Sequence, residues 1–267
     1  MINLYKIIIF AIVLLVFHNN LYGKNKLLSY KSVYDIKLGK SKVNRALGKT
    51  YVAQANGELF IDWVDNCKSW ISNQRMVTRF INSHGVGTVS EINYSIVEAN
   101  SGQNLDFLLE IKENAELVER TFGRGKKKKE LTVEFDVPSG RESLKFDDDV
   151  IFPHEFLEEI IKNFGGKEKI IVKKVYEGTI PEKFFQISVF FTGETSKGSK
   201  KLLPKGVENK FQKIRMAYFQ DKTQEPILEL TAHINEQGIG SFFKYDYPEY
   251  SLIMNLKKLS LTPLACK

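Results

Sequence analysis

Residues that usually carry chemistry are scarce in this chain. Its 267 residues include four histidines and two cysteines, and His18 lies inside an N-terminal apolar run. His84 sits in a Gly-flanked turn. His233 alternates out of phase with Leu230, Ala232 and Ile234, which places it on the less buried face of a strand. The run His154-Glu155-Phe156-Leu157-Glu158 falls one ligand short of the zinc-protease helix motif, because Glu158 stands where the second histidine is required. His154 therefore reads as a polar residue on the outward side of an amphipathic helix. No Gly-x-Ser-x-Gly elbow is present. Gly123-Arg124-Gly125 is followed by lysines and a strand, not by the helix that a phosphate-cradling loop needs. Acidic residues are numerous and dispersed, with no pair that stands out as acid and base. The expectation is a protein that is not an enzyme, with no metal and no cofactor.

A long apolar run is missing as well. Ile7 to Phe17 spans about eleven apolar residues, short of the roughly 20 a membrane-crossing helix needs. One lysine, Lys6, precedes it and Gly23 follows at the end of a polar stretch, the pattern of a secretory signal peptide over residues 1–23. No cysteine follows the run, which argues against a lipid-anchored form. Residues 24–267 then form the mature chain, with no Pro/Gly/Ser-rich linker and no repeat of fixed period, so they read as one domain.

The two cysteines are Cys67 and Cys266. In an exported chain an even count reads as pairing, and this bridge would enclose most of the fold. The chain-entropy value of so long a closure is roughly 5 kcal/mol, usually less in practice. Two buried free thiols are the alternative on residue pattern alone.

What the chain does have is strand-forming material. Forty-three per cent of its residues are hydrophobic, with 19 Phe and 11 Tyr. Tyr34, Ile36 and Leu38 alternate with polar residues, and Leu59, Ile61 and Trp63, then Phe107, Leu109 and Ile111, recur at the same period of two. The same period continues through Leu131 to Val137, Phe185 to Phe191 and Leu228 to Ile234. About a dozen such segments joined by short turns imply an antiparallel meander. One stretch departs from it. Phe156, Leu157, Ile160, Ile161 and Phe164 recur at helical spacing after Pro153 and before Gly165-Gly166. A single helix more naturally plugs a curled sheet than builds an α/β fold.

The formal charge of +7 falls to +6 once Lys6 is removed. Basic and acidic residues are interspersed, without the basic stripe of a nucleic-acid binder. Lys126 to Lys129 reads as a solvated hairpin turn, with contact to an anionic surface as the functional alternative. Asp147 to Asp149 reads as a solvated acidic loop that lacks the ligand spacing of a calcium site.

Several short runs, in order, resemble the EipB-type cell-envelope integrity proteins. They are Tyr34-Asp35-Ile36-Lys37-Leu38, Ala55-Asn56-Gly57-Glu58-Leu59, Cys67-Lys68-Ser69-Trp70, Gln74-Arg75, Phe152-Pro153-His154, Tyr176-Glu177-Gly178, Gly240 and Tyr245-Asp246-Tyr247-Pro248-Glu249-Tyr250, ending at Cys266. The resemblance covers roughly residues 29 to 266. It implies a periplasmic protein of Gram-negative bacteria, folded as a long antiparallel β-spiral, an incomplete overlapping barrel. It also implies a disulfide between Cys67 and Cys266, a role in envelope integrity, and no catalytic residues. The sheet shape is similar to that of periplasmic carriers of lipidated cargo. Pro248 departs from the family pattern where glycine is expected, and the Lys126 to Lys129 run is not a family mark. The resulting expectation is a non-enzymatic scaffold whose partners are periplasmic or envelope proteins. The alternative is a carrier that takes acyl chains of lipids or lipoproteins into the concave sheet. The helix face Phe156, Leu157, Ile160, Ile161 and Phe164 would then line the groove.

Overall fold

The computed structural model describes residues 27–41, 50–137, 140–220 and 224–263. The expected signal peptide and Cys266 lie outside the described residues.

Among the described residues, fifteen strands and one helix follow one another. The first eight are β1 (Tyr30–Ser41), β2 (Val52–Asp65), β3 (Ser69–Asn82), β4 (Gly87–Ala99), β5 (Asn104–Glu113), β6 (Glu116–Lys127), β7 (Leu131–Val137) and β8 (Gly140–Phe146). The two-residue β9 (Val150–Ile151) and the helix α1 (Pro153–Lys162) come next. Then follow β10 (Ile170–Val175), β11 (Phe185–Ser196), β12 (Phe211–Gln220), β13 (Leu228–Ile234), β14 (Gly240–Asp246) and β15 (Tyr250–Leu261).

All fifteen strands belong to one sheet, in the order β8-β7-β6-β5-β4-β3-β2-β1-β15-β14-β13-β12-β11-β10-β9. The first and last strands of that order, β8 and β9, are consecutive in the chain and separated only by Asp147–Asp149. A sheet whose two ends are tied by so short a link has to curl until they approach, and the result is a nearly closed, barrel-like fold with a seam. Neighbours are antiparallel throughout except β9 and β10, which run parallel. That exception to the expected meander has a simple cause. The chain passes through α1 between them, and a parallel pair needs such a crossover.

Alternation in the sequence becomes inside and outside in the sheet. Tyr34 and Ile36 of β1, Leu131, Val133 and Phe135 of β7, and Ile187 and Val189 of β11 are all essentially inaccessible. Strands β6 and β8 lack an apolar signature. The inward positions of β6 are Thr121, Gly123 and Gly125, and its outward ones are mostly charged. Glycine there makes room, because a Cβ on Gly123 would overlap the Phe107 ring.

The seam is packed by Val150 and Phe152 against Leu131, Val133, Phe135 and Tyr176. Outside, Lys174 of β10 reaches Asp147 at 3.2 Å and Asp149 at 3.0 Å. The acidic triplet is thus partly an ion-pair clasp instead of a purely solvated loop, although exposed pairs contribute no more than about 1 kcal/mol each. The β14–β15 turn accommodates Pro248: Tyr247 N–H donates to the Tyr250 carbonyl at 2.9 Å, leaving Pro248 where a fixed φ suits and no N–H is needed.

A cavity with one carboxyl among tyrosines

Helix α1 turns its apolar face into the barrel. Phe156, Ile160 and Ile161 are buried, while Leu157 and Phe164 are half-buried against the core. Phe164 lies just past the helix and meets Phe191 edge-on at 6.3 Å. The five residues of the expected helix face therefore share one side, but only Phe156, Leu157 and Ile160 border the interior cavity.

The start of α1 is held by a residue that the sequence pattern does not single out. Phe152 at the N-cap supplies no side-chain acceptor. Instead Glu98 of β4 accepts the backbone N–H of His154 at 2.6 Å and that of Glu155 at 3.0 Å. Helix termini leave such donors without intrahelical partners, so a carboxylate from another strand replaces the usual cap. Glu98 is 1% exposed. Burial pushes its carboxyl up to about 7, against the pull of the two N–H donors. His154 corrects the outward assignment made for it. It is buried, stacked on Trp70 at 4.8 Å, with Trp63 at 6.0 Å and Glu158 at 3.7 Å from its Nε2.

The cavity has a volume of about 340 Å³. It extends along β13 from Ile234 to Leu228 and along β14 from Gly240 to Tyr245, about 17–20 Å at some 3.4 Å per residue. Its walls are mostly apolar: Leu59, Ile61, Ile96, Met216, Leu228 and Phe243 among them. Glu177, Tyr94, Tyr218 and Tyr245 also line it, and the Tyr176 N–H, donating to the Ile151 carbonyl at 2.9 Å, sets Glu177 near the start of α1. Tyr94 donates its hydroxyl to the Glu177 carbonyl at 2.5 Å. Burial holds the phenols of Tyr94, Tyr218 and Tyr245 well above the ordinary tyrosine range, and the nearby Glu177 charge adds to the rise in each. Burial alone raises Glu177 itself to about 7, and no basic side chain pairs with it among the described residues. The arrangement is one carboxyl and three phenols in the wall of a largely apolar cavity.

Gly178 is what lets Glu177 sit there. Its φ of +77° suits glycine, and a Cβ would overlap the Phe107 ring. Phe107 is thereby clamped between Gly178 and Gly123. The sequence signal for Glu98 is an acid in phase with Tyr94 and Ile96 on an inward strand face. Glu177 lies in an irregular segment after β10, where no periodicity points to it.

A larger hollow, about 630 Å³, lies outside the barrel over β11 to β14. Within it Lys213 pairs with Glu194 and Lys244 with Asp246, both at 2.6 Å. Among the described residues no cluster of His, Cys, Asp and Glu could hold a metal ion. No described helix is long and apolar enough to cross a membrane.

Cys67 occupies the exposed β2–β3 turn with φ +77°, its N–H donating to Asp65 Oδ1 at 2.8 Å. Thr262 N–H donates to the Ser29 carbonyl at 2.9 Å, and Ser29 Oγ accepts Asp65 N–H at 2.9 Å. The last described residues therefore run beside the turn that carries Cys67. Lys126 and Lys127 end β6, and Lys128, Lys129 and Glu130 make the turn into β7.

A family model described as EipB-like matches residues 22–263. Among solved structures, the chain is similar to a β-barrel-like protein of a domain of unknown function from Brucella abortus, with a TM-score of 0.81 and 20% identity, covering 89% of this chain and 99% of that one. At that identity the likeness shows the fold. No curated protein matches the chain.

Proposed function

The chain belongs to the EipB-like family, and from that premise we propose that it is a non-enzymatic periplasmic protein supporting cell-envelope integrity through contacts with envelope proteins or components. The observation that carries this reading is the match over residues 22–263. A surface feature supports it. Ile170, Val172 and Phe190 are 51%, 52% and 41% exposed on the outer face of β10 and β11. Ile170 and Phe190 are direct register partners, so these residues form one apolar patch beside the short β9 edge. Exposed apolar patches mark contact surfaces more often than scattered residues do.

Deleting the gene is expected to sensitise cells to detergents and wall-active antibiotics, with the wild-type chain restoring resistance. A chain carrying Ile170→Asp and Phe190→Asp is expected to accumulate normally yet restore poorly. An unaltered phenotype across such stresses counts against the reading.

The cavity favours a second reading, a carrier that takes single acyl chains of lipids or lipoproteins into the barrel. Native mass spectrometry of protein purified gently from the periplasm separates the two readings. Lipid at fixed stoichiometry supports the carrier, and a clean unliganded mass opposes it.

We also assign Cys67 to a bridge with Cys266. The contact of Thr262 with Ser29, one hydrogen bond from Asp65, supports that pairing. The bridge would tie the chain end to an early turn, at the place where fraying concentrates.

A further inference from the structure

A buried carboxyl without a cation is costly, and proteins normally pair it or neutralise it. Glu177, half-buried in the cavity wall, has no such partner among the described residues. It shares the wall of one largely apolar cavity with the phenol rings of Tyr94, Tyr218 and Tyr245. Aromatic rings around an anionic group form the environment that attracts ammonium ions, through their negative faces and the charge together. The tube itself limits the rest of the ligand. At about 340 Å³ it has room for on the order of ten water-sized groups. Its apolar walls run about 17–20 Å along β13 and β14, a length and lining that suit an extended hydrocarbon chain.

We propose that the cavity binds a single linear hydrocarbon chain ending in an ammonium group. The ammonium lies between the Glu177 carboxylate and the rings of Tyr94, Tyr218 and Tyr245, and the chain runs along the inner face of β13 and β14, past Phe156, Leu157 and Ile160 of α1. The proposal rests on the carrier reading and adds to it the chemistry of the head group. A carboxylate-ended chain would place two acids together, and a neutral alcohol would leave Glu177 without its counter-charge. Glu98, also near Tyr94, is occupied by the N–H groups of α1 and leaves Glu177 as the acid facing the ligand.

The test uses the purified mature chain and three probes of equal length: decyltrimethylammonium, decanoate and decanol, each below its aggregation concentration. Titration calorimetry at pH 8 is expected to rank the ammonium at least about tenfold tighter than the other two, in line with a desolvated charge and cation–π contact. Glu177→Gln keeps the shape and is expected to lower ammonium affinity about tenfold while leaving decanol unchanged. Tyr218→Leu, which removes one ring, is the second variant and is expected to weaken the ammonium alone. Leu157→Trp fills the tube and is expected to abolish binding of every probe. Equal affinity for the three heads, or indifference to both Glu177→Gln and Tyr218→Leu, overturns the head-group assignment and leaves the carrier reading standing. Failure of all three probes to bind, or binding untouched by Leu157→Trp, overturns both.

Discussion

The Glu98 carboxylate on β4 accepts the His154 backbone N–H at 2.6 Å across 56 residues of sequence, joining the plugging helix to the wall of the barrel. Its other oxygen takes the Glu155 N–H, so a single side chain supplies the whole N-terminal cap. Glu98→Ala leaves two buried donors without partners and opens a small void. The expected loss is about 2–3 kcal/mol of unfolding free energy, against about 1 for Glu98→Gln, which keeps an acceptor. Denaturant melts of the two variants check the ranking, and equal losses would contradict the capping role.

The same residue makes stability depend on pH. Glu98 and Glu177 both titrate near 7 in the folded chain, raised by burial from about 4.5. Between those values the folded state holds protons that the unfolded state has released. Their contribution is full below about 4.5 and is lost as pH rises through 7, on the order of 2–3 kcal/mol per carboxyl. Glu91, Glu159 and Glu194, held low by hydrogen bonds from Arg75, Lys162 and Lys213, weaken the fold only at more acid pH. His233, held low by burial, works in the opposite sense over part of the window. Glu98→Gln therefore serves as the internal control. The wild type is expected to melt at lower temperature at pH 8 than at pH 5.5, and the variant to show a smaller difference.

Gly178 is expected to resist every substitution. Gly178→Ala meets both an unfavourable positive φ and the Phe107 ring, for a combined cost of about 2–4 kcal/mol. Gly178→Ala combined with Phe107→Leu frees space and is expected to recover part of the loss. A double-mutant cycle by chemical denaturation measures that coupling.

The bridge between Cys67 and Cys266 is open to direct chemistry. Alkylation of denatured protein without reductant is expected to label neither thiol, and labelling after reduction should reach both. Cys67→Ser is expected to lower stability by about 2–4 kcal/mol. Full labelling without reductant, in protein exported normally, would rule the bridge out.

Much of the wall of the barrel is legible in the sequence, and much of its furniture is not. Leu131, Val133 and Phe135 announce an inward face by period alone, and all three are fully buried. Strand β6 gives no such signal, because its inward positions are Thr121, Gly123 and Gly125 and the neighbouring Phe107 fills the space above Gly123. The helix is readable from Phe156 to Phe164, since an apolar stripe at that spacing forms one face of a helix and would fall on both faces of a strand. Its partner is not readable. On its own helix His154 has the position of a surface residue, and only the approach of Trp70 and Trp63 from β3 and β2 makes it a core one.

What the sequence determined by itself is whatever depends on near neighbours: strand period, turn positions and the amphipathic helix. These follow from backbone geometry repeating every two or 3.6 residues. Only the tertiary structure decided that β8 and β9, adjacent in the chain, close opposite ends of one sheet. It alone brought Glu98 to α1, and Glu177 to Tyr94, Tyr218 and Tyr245. Those pairings arise from how far a twisted sheet must curl before its apolar face is covered, a property of the whole chain that no local window contains.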